Sequence, residues 1–182
     1  MATQNTPRAK ALTLISTFRA LDSQTLVVLL HEKCVWTMFP TSLGFPPQTR
    51  DQQVSRLGEM YSSGILASFP VEPLEVIESV TQDGKAMVSV RCDGGIVLSE
   101  RTRALLAEDK EGAQLLSGRN ADSKAGRVDV RNEWHFTFFF DSSPEQDGGG
   151  KIERVWEFLD GEATQHLVKV LGRATTLVQG GD

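Results

Sequence analysis

The segment from Val128 to Asp141, VDVRNEWHFTFFFD, and the segment from Lys151 to Asp160, KIERVWEFLD, decide how this chain folds. Both are rich in β-branched and aromatic residues, which pack well on a pleated surface. Between them, Ser142 to Gly150 carries Ser, Pro, Asp and a run of glycines, the composition of a loop. Two strands so joined pair antiparallel. Alternation places Glu133, His135, Thr137 and Phe139 on one face of the first strand and Trp134, Phe136, Phe138 and Phe140 on the other. On the second strand, Glu153, Val155, Glu157 and Leu159 share a face, with Ile152, Arg154, Trp156 and Phe158 opposite. Pairing Asp141 with Lys151 sets His135 across from Glu157, and a shift by two sets Glu133 there instead. An odd shift breaks the arrangement, because it moves every side chain to the other face.

Outward from these strands the periodicity changes. Ala11, Leu14, Ile15, Phe18 and Leu21 recur at helical spacing behind Pro7, and Asp22 is a plausible N-cap for a short helix that turns Leu26, Leu29 and Leu30 inward. Cys34 to Phe39 reads as a short strand. Thr41 to Arg50, with Gly44, Pro46 and Pro47, reads as loop, and Val54, Leu57, Tyr61 and Ile65 mark a third helix with Asp51 in its first turn. Leu74, Val76 and Val80, an Asp83-Gly84 turn, and Ala86, Val88 and Val90 predict a β-hairpin. Residues 93–127 are polar and read as a long, partly mobile excursion with a hint of helix at Ala104 to Ala107. Leu167, Val170, Leu171, Ala174 and Leu177 space a closing helix that frays at Gly180-Gly181. Helices, then an antiparallel curved sheet, then a helix make an α+β domain, and 182 residues suffice for one such domain spanning 1–182.

Composition narrows the partners. With 19 Lys+Arg against 24 Asp+Glu, and no block of like charge, neither nucleic acid nor an anionic membrane surface is expected as a partner. The N-terminus lacks the apolar core of a signal peptide, no apolar run approaches a membrane span, and Cys34 and Cys92 form no Cys-x-x-Cys pair, so a reduced cytoplasmic protein is expected. His31, His135 and His166 have no mutual ligand spacing, and Ser42 and Cys34 lie in no nucleophile elbow; no metal site is expected.

Cys34-Val35-Trp36, Pro40-x-Ser42-Leu43, Asn132-Glu133-Trp134 and the ending Lys151-Ile152-x-Arg154-x-x-Glu157-Phe158-x-Asp160, in that order, resemble the SnoaL-like group of the nuclear-transport-factor-two-like superfamily, in particular its fungal natural-product members. The resemblance implies a cone in which a curved antiparallel or mixed sheet, three N-terminal helices and a closing C-terminal helix enclose a deep apolar pocket. It also implies cofactor-independent isomerisation, cyclisation or dehydration, as in ketosteroid isomerase, scytalone dehydratase and the SnoaL cyclase, on an apolar polycyclic polyketide or terpenoid intermediate. The carboxylate before Phe in the strand ending maps onto Glu157. Family members often carry His where this chain has Trp36, which removes one acid–base group.

A carboxylate in an apolar pocket has its pKa raised by desolvation, and a neighbouring His can relay its proton. Glu157 and His135 are thus the candidate catalytic pair, needing no cofactor; a structural hydrogen-bonded pair or a solvated rim is the plainer alternative. Trp36 is either a flat wall with one N–H donor at the pocket mouth or a core residue. Tyr61 is either a phenolic donor to substrate or core packing. Glu133, Phe139 and Met38 complete the expected substrate contacts. The competing reading is a non-catalytic ligand-binding or dimerisation module. Finally, the Trp134, Phe136, Phe138, Phe140 stripe, together with Arg154, Trp156 and Phe158, is expected on the convex side, where a homodimer would cover it.

Overall fold

The computed structural model describes residues 6–117, 121–142 and 150–180. Helix α1 (Pro7–Ala20) begins where the Thr6 side chain accepts the Ala9 N–H and ends at Leu21, whose φ of 51° is left-handed. It buries Ala11, Leu14, Ile15 and Phe18 along the expected stripe. Helix α2 (Gln24–Leu29) is capped at Ser23 rather than Asp22, although the Asp22 carboxylate accepts the N–H groups of Gln24 and Thr25. Strand β1 (Leu30–Phe39) starts four residues before the expected short strand. The Thr41–Arg50 stretch holds a 3-10 turn (Thr41–Leu43) and a two-residue strand, β2 (Gln48–Thr49). Helix α3 (Arg50–Ser62) opens on a capping box between Thr49 and Gln52.

After β3 (Leu66–Ser68), the predicted hairpin forms from β4 (Val71–Val80) and β5 (Ala86–Leu98). β4 is largely exposed, Val80 included, so its alternation does not mark a core face. Residues 93–127 are not a plain excursion. They carry the end of β5, helices α4 (Glu100–Glu108) and α5 (Lys110–Leu116), and a separate hairpin of β6 (Ala121–Ser123) and β7 (Gly126–Val128). Capping drives this local order: the Ser99 hydroxyl accepts the Thr102 N–H, and the Asp109 carboxylate accepts the Gly112 N–H. Asp109 also receives the Arg173 guanidinium, tying α5 to α6 (Gly161–Gln179). Strands β8 (Val130–Phe140) and β9 (Ile152–Leu159) are the two expected late strands; most of the loop expected between them (143–149), and Gly181, lie outside the described residues.

The main sheet has seven strands in the order β2-β1-β9-β8-β5-β3, with β4 also on β5. β1 and β9 run parallel and the remaining pairs antiparallel, which makes the sheet mixed. α1 packs against β4 and β5, α3 against β1, and α6 against β8, so one sheet face is covered by helices.

One bulge decides which residues face them. Phe140 pairs with Ile152, but Phe139 pairs with Arg154, so Glu153 is an extra residue in β9. From there the register is shifted by one: Phe136, not His135, lies across from Glu157. The aromatic stripe Trp134, Phe136, Phe138 and Phe140 is therefore concave and buried, contrary to the expected convex placement, and Glu157 faces inward with it. His135 and Glu133 point outward and are exposed. The outer face still carries an aromatic cluster, in which Phe39 stacks on Phe158 at 4.9 Å, Trp156 meets the edge of Phe139 at 4.7 Å, and Arg154 lies over Phe139.

Candidate functional site

The parallel pairing of β1 and β9 sets Met38 beside Glu157, and the pleat turns Trp36 and Met38 to the same side. There the Trp36 indole N–H donates to Glu157 Oε2 at 2.6 Å. Both residues are buried, at 1% and 8% exposure, so Trp36 belongs to the interior rather than to a pocket mouth. Among the described residues, Oε1 of Glu157 accepts no hydrogen bond. Burial pushes the Glu157 carboxyl above its ordinary range, while the charge of Arg56 and the Trp36 hydrogen bond oppose that shift. These surroundings favour the neutral form of the carboxyl more than water does.

Glu157 lines a cavity of about 130 Å³ whose walls are mainly apolar, with Phe18, Phe69, Trp134 and Phe136 among them. Phe18 stacks on Phe136 at 5.8 Å and tilts against Phe69 at 5.3 Å, so the wall is a continuous aromatic sheet. Its polar residues are few. Asn132 donates through Nδ2 to Thr164 Oγ1 at 3.0 Å, and Gln53 Oε1 accepts the Arg56 Nε–H at 3.1 Å.

Of the residues predicted for the site, Glu157, Trp36 and Met38 come together. His135 lies on the opposite face of the sheet, its ring 6.0 Å from Phe158, and has no path to Glu157; the bulge at Glu153 is the reason. Glu133 is on that outer face too, paired with Arg131 at 2.9 Å. Phe139 packs there under Arg154 and does not line the cavity. Tyr61 packs against the core, and its buried hydroxyl has no partner among the described residues. Burial raises its pKa, with Arg56 acting against that rise and the Glu157 charge adding to it. Asn132, Thr164, Gln53 and Arg56 escape the sequence reading. Asn132 was within reach, since it alternates in phase with Trp134; the other three lie on helix faces whose neighbours only the fold supplies. Cys34 and Cys92 are free and buried, and burial pushes each thiol up to about 12, so neither is a nucleophile at neutral pH. Among the described residues no cluster of three or more His, Cys, Asp or Glu could hold a metal ion, and no helix is long and apolar enough to cross a membrane.

No protein-family model and no curated protein sequence matches the chain. Solved structures do. BvnE pinacolase from Penicillium brevicompactum is 16% identical, with 91% of this chain and 90% of that one covered and a TM-score of 0.62. PrhC from Penicillium brasilianum is 16% identical over 96% of this chain and 97% of its own, with a TM-score of 0.56. IdmH from Streptomyces antibioticus, a candidate polyketide cyclase, is 14% identical over 90% and 96%, with a TM-score of 0.50. At such identities the likeness is one of fold. What the chain shares with them is an α+β fold, here a mixed sheet with helices over one face.

Proposed function

We propose that this fold houses a cofactor-independent isomerase, cyclase or dehydratase that acts by proton transfer on an apolar polycyclic polyketide or terpenoid intermediate. The observation that carries the reading is the Glu157 carboxyl, buried in an aromatic-walled cavity and held by a single indole N–H. Trp36 fixes one carboxyl oxygen and leaves the other for substrate. As an acid, Glu157 protonates a carbonyl or departing hydroxyl oxygen; as a base, the carboxylate takes a proton from carbon and returns it elsewhere on the same skeleton. Such steps are redox-neutral and consume no oxidant or reductant. The fold likeness to a pinacolase and a candidate polyketide cyclase supports the class, and the apolar walls support the substrate type. The outer aromatic cluster supports a homodimer as the working form.

The test is to incubate the protein with extracts of polyketide- and terpenoid-producing cultures and follow products by mass. A mass-neutral or minus-water product is expected, and Glu157→Gln, nearly isosteric, is expected to retain the fold and lose turnover by about 10²–10⁴-fold. Unchanged turnover in that variant would remove Glu157 from the chemistry, and binding without turnover in the native protein would make the chain a ligand-binding module.

A further inference from the structure

The chamber at Glu157 measures about 130 Å³. A dry apolar cavity of about 150 Å³ accommodates one benzene ring, so a polycyclic substrate reacting at Glu157 has to place its remaining rings elsewhere. A second cavity, about 360 Å³, lies between α3 and α6, its lining mixing apolar Ile65 and Val178 with polar Glu59, Ser63, Thr175 and Gln179. Arg56, Met60 and Leu171 line both spaces, so the two adjoin across little more than one turn of α3.

Arg56 stands at that junction. Its Nε–H is committed to Gln53 Oε1, and Gln53 is itself only 1% exposed, which anchors the guanidinium to a buried group. Among the described residues no carboxylate lies within ion-pair distance of it; Glu59, on the same helix, accepts instead from the Ser55 hydroxyl at 2.8 Å. An exposed guanidinium with no ion-paired carboxylate, bordering both the mainly apolar chamber and the more polar cleft, suits a planar anion arriving with the ligand.

We infer that the chamber and the α3–α6 cleft are the two halves of one elongated binding site, in which the reacting ring sits at Glu157, a carboxylate of the ligand is bound by Arg56 at the neck, and the other rings lie in the cleft. Calling the occupant a substrate rests on the acid–base reading of the chamber; the two-part geometry does not.

Three probes titrated calorimetrically into the full chain test it: p-cresol for the chamber, and biphenyl-4-carboxylate and biphenyl-4-carboxamide for the whole site. The carboxylate is expected to bind at least about tenfold more tightly than the amide, and Arg56→Met to reduce that preference to within about twofold. Thr175→Trp, which fills the cleft, is expected to weaken both biphenyls by about tenfold or more and leave p-cresol within about twofold. Equal binding of carboxylate and amide, failure of the biphenyls to bind, or indifference of biphenyl binding to Thr175→Trp overturns the inference, whatever Glu157→Gln does to turnover. Conversely, if the binding differences hold while Glu157→Gln turns over normally, the two-part site stands and the catalytic reading falls.

Discussion

Trp36 and Glu157 form a pair in which one member makes the burial of the other tolerable. A carboxyl at 8% exposure with one N–H partner is more costly to ionise in the folded chain than in the unfolded one. The consequence for stability follows from linkage. Because the folded-state pKa is raised by burial, the contribution of the protonated group is full below the unfolded value of about 4.3 and is lost as pH rises through the folded value. Glu157→Gln removes that loss while its amide oxygen can still accept the Trp36 N–H. The thermal midpoint of the variant should therefore gain on that of the native chain as pH is raised from about 4 to about 8, and a gain in the opposite direction would show a carboxylate stabilised in place. Much at this scale was legible: Glu157 follows from the strand-ending motif, and Met38 from alternation with Trp36. His135 was not, because its assignment depended on counting residues across the pair, and a single unpaired residue reverses the parity of such a count.

That unpaired residue, Glu153, belongs to the scale of elements. Ile152 and Val155 are both fully buried although three positions apart, which no regular strand permits; the bulge reconciles them, and Lys85 holds the Glu153 carboxylate at 2.7 Å. Nothing in KIERVWEFLD announces it, since each residue is compatible with either face. The end of β5 was hidden for a related reason. Asp93-Gly94-Gly95 breaks the apolar alternation, yet the strand continues to Leu98, because Asp93 is satisfied by Arg131 at 2.8 Å and by the Lys124 N–H. The glycines permit close approach of neighbouring backbone. A Cβ on Gly94 would lie 2.2 Å from the Pro70 carbonyl oxygen, and one on Gly95 2.1 Å from that of Val130. Gly94→Ala must push β4 away from β5, at a cost of about 1–3 kcal/mol, the range for overpacking a tight site. Urea denaturation reads this directly; an unchanged midpoint would mean that β4 yields without loss of pairing. The helices were easier to read, since α1 and α6 carry both their periodicity and their caps in local sequence.

At the scale of the whole molecule, the sheet has one face buried by helices and one that is its own surface, and the bulge that turns Glu157 inward also turns Trp156 and Phe158 outward. Phe158 is 40% exposed and Val35, on the adjacent strand, 43%. With Phe39 and Trp156, both partly exposed, they make an apolar patch on β1 and β9 that is backed by the buried Phe139 of β8. Patches of this kind on soluble chains mark contact surfaces, and a sheet face left uncovered by helices is suited to self-pairing about a two-fold axis. The proposed homodimer thus keeps its face and, of the expected residues, Arg154, Trp156 and Phe158: Trp134, Phe136, Phe138 and Phe140 are core, so Phe138→Glu buries a charge and should unfold the chain whatever its assembly. Phe158→Glu is the informative substitution, because it places a charge on the patch without entering the core. Light scattering should report two chains for the native protein and one folded chain for Phe158→Glu, with its circular dichroism unchanged. A native monomer, or a dimer indifferent to Phe158→Glu, would leave the outer cluster as a self-contained arrangement of stacked rings under Arg154 and move any interface elsewhere.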